Sequence, residues 1–130
     1  MGLDISIVER REVYSFRAGS YSGFGKFREF LASAVGIDLL EMEGFGGQKK
    51  WEGTEPLFFL LEHSDCDGLL HSFECKKLLD DFNNNQTKIA TALSKIKDKE
   101  QRGYYKGLIG EWLKALKIMN RHDNMTLEFC

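Results

Sequence analysis

Proline is nearly absent from this 130-residue chain, which has only Pro56. That excludes a proline-rich linker or a polyproline segment. Cysteine is scarce too: Cys66, Cys75 and Cys130 are too few and too late in the chain for a disulfide framework. No apolar run approaches the ~18 residues of a membrane-spanning helix. The opening residues also lack the basic-then-apolar layout of a secretion signal. Neither sign of charge dominates, with 18 Lys and Arg against 20 Asp and Glu and a formal net charge of −2. Duplex nucleic acid and anionic membranes bind through a surplus of clustered cations, so neither is an expected partner. The expected compartment is a reducing one, the cytoplasm. Catalytic signatures are missing as well: there is no Gly-x-Ser-x-Gly elbow, His-Glu-x-x-His helix or dinucleotide fingerprint. His122 stands beside Asp123, but such a pair is ordinarily solvated, and no enzyme is expected.

What is present is a core. Hydrophobic residues make 42% of the chain and charged ones 29%, enough for a single folded domain over residues 1–130. Leu3, Ile5 and Ile7 alternate with Asp4 and Ser6, and Val13 to Arg17 alternate again, so two strands form a hairpin through Arg10-Arg11-Glu12. Gly19-Ser20-Tyr21-Ser22-Gly23 reads as a turn and a helix start. Phe24, Phe27, Leu31 and Ala34 then recur at helical spacing, with Gly36 placed as a C-cap glycine. Residues 37–53 are irregular and glycine-rich. Thr54-Glu55-Pro56 has the form of an N-cap and first turn, while the brief apolar run over 56–62 fits a helix or a strand. Ser72 is placed to cap a helix with Cys75, Leu78, Leu79 and Phe82 inside. Asn83 to Gln86 break or bend it, and Thr87 opens another through Ile89, Leu93 and Ile96. Tyr105, Leu108, Ile109, Trp112, Leu116 and Met119 stripe a last helix, and Met125, Leu127 and Phe129 mark a terminal strand. The class is α+β: a small antiparallel sheet, the N-terminal hairpin plus the C-terminal strand, packed against four or five helices.

The sharpest local pattern is His63-Ser64-Asp65-Cys66-Asp67-Gly68-Leu69-Leu70-His71-Ser72-Phe73-Glu74. Asp65, Asp67, Gly68, Leu70 and Glu74 fall on the third, fifth, sixth, eighth and twelfth positions of an EF-hand calcium loop. His63 stands where the first carboxylate belongs, and there is one such loop where EF-hands come in pairs. An Asp-x-Asp-Gly turn accounts for the same residues through carboxylates that bond local backbone N–H groups. His63, Cys66, His71 and Cys75 also approximate a zinc-knuckle spacing, with histidine for the first cysteine and a shortened last gap. Cys75 is equally an apolar helix-face residue.

A second candidate site is anionic. Arg17, Ser20, Tyr21, Ser22, Lys26 and Arg28 surround a predicted helix N-terminus, where free N–H groups, hydroxyls and the dipole suit a phosphate. Lys49, Lys50 and Trp51 lie in the stretch after Gly44, readable as a lid that closes over a base or as a plain surface loop. Ser20 or Ser22 as a simple helix cap is the competing account.

The opening Met1-Gly2-Leu3-Asp4, the Arg17-Ala18-Gly19-Ser20-Tyr21-Ser22 segment and the His63–Gly68 block resemble a group of small proteins of bacteriophages and their bacterial hosts. The resemblance implies the host cytoplasm and binding rather than catalysis, for example sequestration of a nucleotide signal used in host defence, or inhibition of a host protein. Three functions are therefore expected to compete. They are a non-enzymatic binder, as a monomer or a homo-oligomer, of a small anionic, nucleotide-like ligand; an inhibitor using an aromatic patch of Tyr21, Phe24, Phe45 and Trp51; and a calcium-dependent module at Asp65, Asp67 and Glu74.

Overall fold

A computed structural model describes residues 2–9, 11–122 and 124–130. Met1 of the opening motif, Arg10 of the predicted hairpin connection and Asp123 beside His122 lie outside them. The α+β class is observed. Strands β1 (Gly2–Val8) and β2 (Glu12–Ser20) form the antiparallel hairpin, and β4 (Thr126–Phe129) pairs antiparallel with β1, Ile5 opposite Phe129 and Ile7 opposite Leu127. A fourth strand, β3 (Leu69–Leu70), was not expected; it pairs with β4, and the sheet order is β2-β1-β4-β3. Two residues are too few to display a period of two.

Strand β2 overruns its predicted end and passes without a loop into α1 (Tyr21–Ala34). Gly19 makes this junction possible. Its φ is +107°, a backbone conformation that favours glycine. Further along come a 3₁₀ turn (Leu39–Glu41), α2 (Phe58–Leu61), α3 (Ser72–Asn84), α4 (Gln86–Ser94) and α5 (Lys99–Asn120).

One face of the sheet is apolar and carries the core. Leu3, Ile5, Ile7, Phe16, Ala18, Leu127 and Phe129 are buried beneath the helices, while Ser15 and Arg17 face solvent. Trp112 of α5 is fully buried against the rings of Phe16, Phe24 and Phe129, at centroid distances of 5.5, 6.5 and 5.8 Å. This one side chain joins β2, α1, α5 and β4. The predicted inner face of α3 (Cys75, Leu78, Leu79 and Phe82) is buried, with α3 packed along α5.

Three boundaries are corrected. The apolar run after Pro56 is a single helical turn, and Thr54 does not cap it. Leu57 holds the N-cap position in the left-handed region, φ 62° and ψ 21°. The N–H of Phe58 donates to the carbonyl of Glu55 at 3.1 Å, closing a type II turn with Pro56 second and Leu57 third, where glycine is usual. Two restraints hold Leu57 there. Its side chain is wholly buried, and its N–H donates to the Asp81 carboxylate at 3.0 Å. At α3, His71 takes the cap position and Ser72 is the first helical residue. Finally, the break after α3 is confined to Asn85, whose Nδ2 donates to the Asp81 carbonyl at 2.8 Å, and α4 begins at Gln86.

Candidate functional site

The residues expected to bind an anion at the start of α1 are occupied otherwise. Ser20 is the helix cap, its Oγ accepting the N–H of Gly23 at 3.0 Å, with the Ser22 hydroxyl 3.3 Å away. Arg17 turns to Asp4 on the sheet, Nε to Oδ1 2.7 Å, and Tyr21 packs at the edge of the core. Lys26 is exposed on α1. Arg28 is the most deeply buried of these residues. It is 6% exposed, and its Nη1 donates to the carbonyls of Leu61, at 3.0 Å, and His63. Its guanidinium carbon lies 4.7 Å from the Phe24 ring centroid and 5.3 Å from that of Phe45. Burial pulls its pKa down from the ordinary value, opposed by the charges of Asp65 and Glu62. Arg28 is thus a strap fastening the chain after α2 to α1 through Nη1, while its buried Nε has no hydrogen-bond partner.

The expected lid is tied down. Trp51 Nε1 donates to the Glu43 carbonyl at 3.0 Å, and its ring meets Phe45 and Phe58 edge-on. The Lys49 N–H bonds the Glu41 carbonyl at 3.0 Å, and the Glu43 N–H bonds the Lys49 carbonyl at 2.8 Å. Gly47 passes so close to Glu41 that a Cβ would lie 2.0 Å from its carbonyl oxygen. Arg28 and Trp51 do meet, through Phe45, while Lys49 and Lys50 stay exposed.

The 63–74 segment is turned to structural uses. His63 stacks on Phe129 at 3.7 Å between centroids, with Nδ1 2.9 Å from the Ser64 carbonyl and Nε2 3.3 Å from that of Leu69. The Glu74 carboxylate accepts the His71 N–H at 2.9 Å, bracing the start of α3. Among the described residues no three His, Cys, Asp or Glu side chains gather as a metal site, so Asp65, Asp67 and Glu74 do not converge. Cys75, from the zinc spacing, is fully buried in the core, and burial, with the nearby Glu74 charge, pushes its thiol up to about 12. That opposes the thiolate a zinc ion requires. Cys66 and Cys130 are exposed and free.

A different place gathers cations around an apolar floor. Lys99, Arg102 and Lys106 recur at i, i+3 and i+7 along α5 and so lie on one face of it. They line a groove of about 430 Å³ whose other walls are Ala90 and Leu93 of α4 and Gly103 of α5. Arg102 is held in place, its Nη1 donating to the Ile96 carbonyl at 3.0 Å, while Lys99 and Lys106 are exposed. The other flank of α4 carries a second groove of about 480 Å³ against α1, with Lys88, Lys95, Thr87, Thr91 and Ser33 in its lining. The first N–H groups of α5 are already capped by Asp98, so the positive field here comes from side chains. The periodic cations are visible in the chain, but they cancel in its total charge.

Comparison with protein-family models, curated proteins and solved structures finds no match.

Proposed function

We propose that this chain is a non-enzymatic binding protein for a small anionic, nucleotide-like ligand, and that the ligand sits in the α4–α5 groove rather than at the start of α1. The observation that carries this reading is the groove itself, where Lys99, Arg102 and Lys106 rim a floor of Ala90, Leu93 and Gly103. Its size is in the range of small-ligand pockets, a few hundred Å³. Phosphate oxygens suit the cationic rim, and the flat face of a base suits the apolar floor. Because the lysines are solvated, binding weakens as salt screens them. Sequestration of a nucleotide signal in a bacterial host is the role that the sequence resemblance adds to this reading.

Calorimetry with a nucleoside triphosphate, a cyclic dinucleotide and inorganic pyrophosphate tests it. Each lost charge-assisted hydrogen bond is worth about 1.5–3 kcal/mol, so Lys99→Glu and Lys106→Glu are each expected to weaken binding by roughly tenfold or more. Arg17→Ala is expected to leave affinity unchanged. Binding that survives both lysine reversals and disappears with Arg17→Ala would return the site to the start of α1.

A further inference from the structure

On the segment between α1 and β3, Asp38, Glu41, Glu43, Glu52, Glu62 and Asp67 are all exposed, as are Lys49 and Lys50. Between Asp38 and Glu41 in the chain, Leu40 stands 66% exposed, although it is a large apolar side chain. It is held on a firm base. The Asp38 carboxylate accepts the Leu40 N–H at 3.2 Å, the Glu41 N–H bonds the Asp38 carbonyl at 3.2 Å, and Leu39 and Met42 on either side are buried. The turn therefore presents an apolar knob between carboxylates. The α4–α5 groove presents the converse, an apolar floor of Ala90 and Leu93 inside a rim of Lys99, Arg102 and Lys106.

We propose that these two surfaces are partners, and that the occupant of the groove in the absence of ligand is the Leu40 turn of a second copy of this chain. Leu40 seats on Ala90 and Leu93, and Asp38 and Glu41 face Lys99 and Lys106. Knob and groove are different patches of the molecule, so the contact is head-to-tail. It propagates into a ring or an open series instead of stopping at a two-fold dimer. The charge pairs are at the rim and solvated, so the association is weak and strengthens as salt is lowered. The inference shares its groove with the anion reading but does not depend on it.

Sedimentation velocity without nucleotide, at low and at high salt over a range of protein concentrations, tests the assembly. Wild-type chain is expected to give a concentration-dependent series that collapses to monomer at high salt. Leu40→Lys removes the knob, and the double change Lys99→Glu with Lys106→Glu removes the groove. Each sits on an exposed surface, and each is expected to be monomeric alone with an unchanged circular dichroism spectrum. Mixed in equal amounts, the two variants keep one good knob and one good groove between them and are expected to form a dimer and nothing larger. Wild-type chain that stays monomeric at low salt, a variant that associates like wild type, or a mixture that stays monomeric would each overturn the proposal. Failure here is separable from failure of the anion reading, because Leu40→Lys leaves the groove intact for calorimetry with nucleotide.

Discussion

At the scale of single residues, environment decides roles that residue type leaves open. Arg28 and Lys26 are two positions apart on one helix, yet one is a buried strap and the other a solvated charge. The distinction depends on the carbonyls of Leu61 and His63, which the chain brings over α1 from more than thirty residues away. No local pattern announces such a contact, so residue type and spacing alone leave the burial of Arg28 unannounced. Tyr14 shows the same dependence and gives a prediction. Its hydroxyl donates to the Glu111 carboxylate, and burial together with that carboxylate raises its pKa from 10.0 to about 12. The folded state therefore holds this proton more tightly than the unfolded chain. The stabilisation is complete below pH 10 and is lost as pH climbs through about 12. In an absorbance titration of the four tyrosines, one is expected to ionise late. Tyr14→Phe should remove that phase, and Glu111→Gln should bring it back toward the ordinary range. Tyrosines that all titrate together in the wild type would contradict the assignment.

At the scale of elements, the sequence was most legible where a period repeats over many residues. The alternation of β1 and β4 and the stripes of α1, α3 and α5 are in the structure where the pattern put them, because each needs one apolar face against the same core. Short elements were not legible. Strand β3 is two residues long, and α2 is one turn whose start is fixed by Asp81, far along the chain, and not by its neighbour Thr54. The turn at Leu57 makes a specific prediction. Removing its buried side chain in Leu57→Ala is expected to cost about 2–5 kcal/mol in urea unfolding. In the left-handed conformation, however, an L-residue with a Cβ carries a cost of about 1–2 kcal/mol that glycine does not. Leu57→Gly should therefore be at least as stable as Leu57→Ala, the reverse of the order found in ordinary helices and strands. An alanine variant clearly more stable than the glycine variant would mean that the left-handed turn is not what positions α2.

At the scale of the whole molecule, the fold gathers cations of a charge-balanced chain along both flanks of α4. Lys88, Lys95, Lys99, Arg102 and Lys106 line the two grooves beside α4, while Glu62 and Asp65 stand near the strap of Arg28 and Lys49 lies beside Asp38 and Glu41. Totals of charge could not reveal this, since opposite signs on different surfaces cancel in a sum but not in space. No described helix is long and apolar enough to cross a membrane. The most direct test of the account is an amide chemical-shift titration of the folded chain with a nucleoside triphosphate. The account predicts shifts concentrated on residues 88–106, saturating with nucleotide and suppressed by Lys99→Glu. Shifts concentrated instead on residues 20–28 and 49–51, or a spectrum that nucleotide leaves unchanged, would contradict it.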